Sequence, residues 1–196
     1  MKPRYRLAIF ASGKGSNAEE IIKYFTAHPS ISVEVIVSNN KDAFVLERAR
    51  RFNISTLVCD RKEFNSSIGE RLANLNITHI VLAGFLWLIP SNLLEKFANR
   101  IINIHPALLP KFGGKGMYGM KIHESVRSAN EKESGITIHL VDEKYDEGAI
   151  LFQRKCEVAS TDTPQQIADK VHHLEYTWYP RVIEQWVLES SPDENQ

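Results

Sequence analysis

The sequence predicts an α/β protein built on a twisted, mainly parallel sheet flanked by helices, and three observations carry that expectation. Short β-rich runs alternate with helical patterns through the first half of the chain. THIVLAG at 78–84 is an uninterrupted apolar run of the kind a central parallel strand shows, buried on both faces. RIINIH at 100–105 follows the helical stretch LLEKFAN, so the alternation continues past the middle of the sequence.

Taken in order, RLAIF at 6–10 is the first strand and a helix is expected over 17–24. VEVIVSN at 33–39 is the next strand, followed by a helix near 44–52. After His105 the texture changes, because ALLPKFGGKGMYGM holds five glycines or prolines before Lys121 and suits neither a helix nor a central strand. A flexible loop is expected there, then a helix over 122–130 and strands at GITIHLV and ILFQRKCEV. A last helix begins after Thr163-Pro164 and runs towards Leu188, with proline suited to its first turn. Residues 190–196, SSPDENQ, are expected to be a disordered tail.

At 196 residues and 43% hydrophobic, the chain suits one well-buried core, and 1–189 reads as a single domain. Lys plus Arg equals Asp plus Glu at 24 each, so no overall field gathers nucleic acid or an anionic membrane. Any anion must be met locally. The opening MKPRYRLAIF has no extended apolar signal core and nothing later reaches spanning length, which points to the cytoplasm. Cys59 and Cys156 stand in neither C-x-x-C nor any metal-ligand spacing, so two ordinary thiols and no metal are expected.

Ser12-Gly13-Lys14-Gly15-Ser16-Asn17 follows the first strand and opens the first helix, where backbone N–H groups and the helix dipole can hold a phosphate. The spacing is neither a Walker A loop nor G-x-G-x-x-G, so a small phosphorylated ligand fits better than a triphosphate or dinucleotide. The same glycines could merely turn a strand into a helix, with Ser16 or Asn17 as an N-cap. The turn alone leaves both readings open.

Asn103 and His105 sit two apart on a strand, so both side chains leave one face, and Pro106 then stops the ladder. An amide N–H beside an imidazole suits acyl chemistry: both can stabilise an oxyanion, and the imidazole can move a proton. Asp146, in DEKYDEG, could orient that histidine and raise its pKa. The bland alternative makes Asn103 a turn cap, His105 a satisfied half-buried histidine and Asp146 one acid of a solvated loop. His28, His79, His123, His139, His172 and His173 carry less information, although His172 and His173 near Glu175 could line a polar pocket. No Ser or Cys has the G-x-S-x-G setting and no histidine pair is placed as in H-E-x-x-H, so direct transfer is easier to argue than a covalent or metal-assisted route.

Read together, GKGSN at 13–17, VLAGFLWLIP at 81–90, NIHPALLPKFGG at 103–114, YDEG at 145–148 and LEYTWYP at 174–180 resemble the folate-dependent formyltransferases, in their glycinamide ribonucleotide branch. Order and spacing match across nearly the whole chain. The resemblance implies a Rossmann-like formyltransferase fold and transfer of the formyl group of 10-formyltetrahydrofolate to the amine of 5'-phosphoribosylglycinamide in purine biosynthesis, through a tetrahedral intermediate. It implies Gly15, Ser16 and Asn17 as the phosphate turn, and Asn103, His105 and Asp146 as the catalytic trio, with Asp146 keeping His105 charged. It further implies Leu86, Trp87, Leu88, Ile89, Asn103, Val141 and Asp146 along the folate, and Glu175 against the glycinamide substrate.

Two departures stand out. Trp87 occupies a place where many relatives carry arginine, and the loop GGKGMYGMKIH is longer than the common form, with His123 aligned to a histidine that the shorter loop brings to the site. Lys62 is the candidate for a basic residue that reaches the folate. Among rivals, methionyl-tRNA formyltransferases resemble longer, more basic chains, and formyltetrahydrofolate hydrolases carry an added N-terminal domain for which a first strand at about residue 6 leaves no room. A catalytically silent phosphometabolite-binding module is the rival from another class. The partners expected are small molecules alone, in a monomer or homodimer.

Overall fold

The computed structural model describes residues 4–190. The elements in chain order are β1 (Tyr5–Phe10), α1 (Ser16–Phe25), β2 (Ile31–Ser38), α2 (Phe44–Arg51), β3 (Ser55–Val58), α3 (Arg61–Ser66) and α4 (Ile68–Asn74). They continue with β4 (His79–Leu82), α5 (Ser91–Lys96), β5 (Ile101–His105), α6 (Met120–Ser128), β6 (Glu133–Leu140), β7 (Ile150–Glu157) and α7 (Pro164–Glu189). Among the described residues the strands form one sheet in the order β3-β2-β1-β4-β5-β6-β7. The first five are parallel, and β6 runs antiparallel to both β5 and β7. The expected alternation holds, and β3, α3 and α4 fill a stretch in which the sequence patterns name no element.

Period-two alternation explains why both faces are covered. On β1, Leu7 and Ile9 enter one hydrophobic cluster with α1, α2, α6 and α7, while Ala8 and Phe10 enter a second with α3, α4 and α5. β4 is buried at every position, as its apolar run requires. α7 starts where expected: Thr163 and Gln166 form a reciprocal capping box, and Pro164 occupies the first turn, where its missing N–H costs nothing. The tail expected to be disordered lies outside the described residues except Ser190, whose N–H bonds the carbonyl of Trp186 and so ends α7.

From β1 the chain steps outward through β2 to β3, then returns to place β4 and β5 on the other side of β1. The strand order therefore reverses between β1 and β4, and loops leaving the carboxyl ends of those two strands diverge to open a crevice. That crevice holds the site. No described helix is long and apolar enough to cross a membrane.

Candidate active site

A cavity of about 710 Å³ lies at the carboxyl ends of β1, β4 and β5. Its floor includes Asn103 and His105 at the end of β5, which alternate with Ile102 and Ile104 of the hydrophobic core, and Ile104 also borders the cavity. His105 is 3% exposed. Its Nε2 lies 2.8 Å from the carbonyl oxygen of Phe112, which can only accept, so the hydrogen sits on Nε2. Its Nδ1 faces Asp146 Oδ2 at 3.4 Å. Asp146 takes a left-handed backbone conformation, φ 59°, and its Oδ2 accepts from the Gly114 N–H at 2.9 Å. The glycine-rich segment and the 142–148 loop are thus tied together over the imidazole.

A residue passed over in the sequence completes this group. Antiparallel pairing sets His139 of β6 directly opposite Asn103. His139 donates from Nδ1 to the carbonyl of Leu140 at 2.7 Å, which leaves Nε2 to accept from the Asn103 amide at 3.2 Å and to approach Asp146 Oδ1 at 3.6 Å. The amide of Asn103 is therefore oriented, with its nitrogen committed towards His139. Only the strand register reveals this; no local motif around His139 signals it.

The charge balance differs from the expectation that Asp146 keeps His105 charged. Burial is the largest influence on His105 and disfavours the imidazolium; Asp146 and the Phe112 carbonyl oppose it without prevailing, so the pKa lies below the ordinary histidine value. Asp146 goes the other way. Burial raises its pKa, but contacts with His139, the charge of His105 and the Gly114 N–H together outweigh that and hold it below the usual carboxylate range. Burial thus works against the imidazolium at His105, while the surroundings of Asp146 favour its carboxylate form.

The far end of the cavity is the turn between β1 and α1. Gly15 has φ 69°, and a Cβ there would lie 2.3 Å from Cγ2 of Val45, so both conformation and contact require glycine. The turn is anchored from outside: Val45 donates to the Gly13 carbonyl at 3.1 Å and Arg48 Nε to that of Lys14 at 2.9 Å. Ser12 joins it to the next loop, accepting from the Leu86 N–H at 3.0 Å. Gly15, Ser16 and Asn17 all line the cavity. So does Glu175 of α7, which is 5% exposed. Burial lifts the Glu175 pKa to about 7 against a hydrogen bond from the Asn17 side chain, whose own Oδ1 has no partner. His172 Nε2 stands 4.0 Å from the Glu175 carboxyl, and the buried His123 lies beyond it with Nδ1 unpartnered. Burial brings His123 to a pKa of about 4, so it is neutral.

Between the two ends run Leu86, Trp87, Leu88 and Ile89 with Val141 opposite, all of them lining the cavity. Ile89 is buried, whereas Leu86 and Leu88 are 46% and 36% exposed, so this segment is partly wall and only partly core. Trp87 stands edge-on to Phe64 and Phe85, and Arg61 stacks over its ring at 4.1 Å. Lys62 is not brought to this group; it is exposed on α3 and lies outside the cavity lining. Among the described residues no cluster of three or more His, Cys, Asp or Glu could hold a metal.

The signature of the formyl transferase family matches residues 5–183, which is nearly all of the chain. The chain belongs to the formyl transferase family. Within that family it is 37% identical over 187 residues to phosphoribosylglycinamide formyltransferase of Bacillus subtilis, covering 92% of this chain and 93% of that one. It is 41% identical over 189 residues to the chloroplastic phosphoribosylglycinamide formyltransferase of Arabidopsis thaliana, covering 92% of this chain and spanning 64% of the plant protein. The solved structure of phosphoribosylglycinamide formyltransferase from Bacillus halodurans superposes with a TM-score of 0.85 at 33% identity, over 97% of this chain and all of that one. The fold expected from the family resemblance is the fold observed.

Proposed function

We propose that this formyl transferase family member acts as a single catalytic unit over 1–189, moving the formyl group of 10-formyltetrahydrofolate to the amine of 5'-phosphoribosylglycinamide. The observation that carries the reading is the convergence, in one cavity, of an oriented amide, an imidazole and a carboxylate at one end and a glycine turn with unsatisfied polar groups at the other. A volume of about 710 Å³ suits two small ligands meeting end to end. The apolar 85–89 segment offers a surface for a flat heterocycle, and the turn at 15–17 offers backbone N–H groups at a helix start for a phosphate.

The reduced folate supplies a formyl carbon bonded to a nitrogen leaving group. The residues of this chain do the rest. Asn103, fixed by His139, donates to the formyl oxygen as charge develops on it. His105, held by Phe112 and facing Asp146, takes up and returns a proton during the exchange of amines, and the ionised Asp146 stabilises its charged form at that moment. Glu175 accepts hydrogen bonds from the ribonucleotide beside Asn17. Just outside the cavity lining Arg61, stacked on Trp87 and without an ion pair among the described residues, presents a cation suited to a carboxylate of the folate.

The test is to mix purified protein with 10-formyltetrahydrofolate and follow release of tetrahydrofolate with and without the ribonucleotide. Release that requires the ribonucleotide supports transfer to its amine. Release without it indicates hydrolysis, and no release from folded protein that still binds a ribose phosphate indicates a binding module.

A further inference from the structure

A second cavity, of about 270 Å³, lies behind the segment that follows β5, outside the lining of the active site. Its walls are apolar: Leu108, Leu109 and Phe112 from that segment, and the fully buried Val126 from α6. Its floor is Ser134, at the start of β6. That side chain shares a face with Ile136 and Ile138, which pack in the same cluster as Val126, so the hydroxyl points towards α6 and the cavity. Ser134 is 2% exposed and its Oγ has no hydrogen-bond partner. A buried hydroxyl left unsatisfied is destabilising, and a ligand with one polar atom would relieve it. The charged groups in the lining, Lys111, Glu131 and Glu133, are all paired, Lys111 with Glu131 at 2.8 Å and Glu133 with Lys155 at 2.6 Å, so no unpaired charge is left to select an ion.

The same segment holds the catalytic histidine. Leu109 is anchored by its N–H to Thr137 Oγ1 at 3.0 Å, and the Phe112 carbonyl takes the Nε2 hydrogen of His105 at 2.8 Å. Gly113 presses against Leu109 closely enough that a Cβ there would meet Leu109 Cδ2 at 2.5 Å, so little slack separates the two sides. Residues 109–112 therefore join the wall of this cavity to the acceptor of the His105 Nε2 bond.

We propose that this cavity is a second binding site, for a small, flat, neutral molecule carrying one hydrogen-bonding group, and that its occupancy is felt at His105 through the Phe112 carbonyl. The volume is too small for a nucleotide and suits a molecule of one or two fused rings. The site stands on its own geometry and does not depend on which reaction the main cavity performs.

Indole, with one N–H for Ser134 Oγ, is the probe. Titrated into isotope-labelled protein, it should give saturable shifts at the amides of Leu109, Phe112 and Ser134 and move the titration midpoint of the His105 ring. Ser134→Ala should weaken indole about fivefold, the worth of one neutral hydrogen bond. Val126→Phe should abolish the shifts by filling the cavity, with retained signal dispersion showing that it folds. The proposal is overturned if the shifts centre on 13–17 and 85–89 instead, if Ser134→Ala binds as tightly as the parent protein, if no saturable shift occurs, or if indole binds and the His105 midpoint stays fixed.

Discussion

The two ends of the main cavity are built on opposite principles. At the β5 end the key polar atoms are already engaged: Asn103 with His139, His105 with Phe112, Asp146 with Gly114. At the turn end the buried groups lack partners: Asn17 Oδ1 and His123 Nδ1 have none, and Glu175 is driven by burial to a pKa of about 7. Groups that must stabilise developing charge work best when fixed beforehand, since reorganisation during the reaction would raise the barrier. Groups that recognise a polar ligand are instead satisfied by that ligand. The contrast supports the proposed function, with chemistry at the first end and substrate recognition at the second.

The largest effect expected is on turnover. Asn103→Ala should lower kcat about 100- to 1,000-fold with little change in KM for the ribonucleotide, the size seen when one oxyanion donor is removed. His139→Ala, which leaves Asn103 in place without its orienting partner, should show a smaller loss of the same kind. A His139→Ala enzyme with unchanged kcat would break the claim of preassembly.

Next comes the opposite end, through stability. The folded pKa of Glu175 is raised above its unfolded value, so the unfolded chain loses this proton first as pH rises. Stability is therefore fully present below about pH 4.5, and is lost as pH climbs towards about 7, by an amount on the order of 3 kcal/mol. Glu175→Gln should be more stable than the parent at pH 8 and nearly equal at pH 4.5 in urea unfolding. An equal difference at both values would show that the carboxyl is not the strained group.

Gly15→Ala should cost about 1–3 kcal/mol of stability, because φ is positive there and Val45 occupies the space. It should also raise KM for the ribonucleotide about tenfold or more while sparing kcat, the reverse of the Asn103 pattern. Steady-state kinetics on both variants side by side checks the split. The smallest effect belongs to the cation stacked on Trp87: Arg61→Ala should raise KM for the folate a few-fold, since an exposed cation contributes only about 0.5–1 kcal/mol. No change with a folate bearing its carboxylates would remove Arg61 from the site.

What the sequence disclosed follows the same physical lines. THIVLAG and RIINIH were legible because burial on both faces writes itself as an apolar run, and the turn at 12–17 because glycine at 15 satisfies a backbone that other residues do not. β3 was not, being four residues at a sheet edge with no fully buried position. Asn103, His105 and Asp146 could be named as candidates from residue type and strand spacing, but their meeting depends on loops that fold back over β5. His139 depends on the register between β5 and an antiparallel β6, which no local pattern encodes. Lys62 illustrates the converse, a plausible charge that the fold leaves exposed on α3, while its neighbour Arg61 finds the Trp87 ring.

The most direct test of the division between the two ends uses His105→Ala, with ribonucleotide binding measured by calorimetry and formyl transfer measured on the same preparation. Transfer reduced by about 1,000-fold or more with binding within about twofold of the parent is the predicted result. Binding lost in proportion to transfer would contradict it, and would make His105 part of substrate recognition.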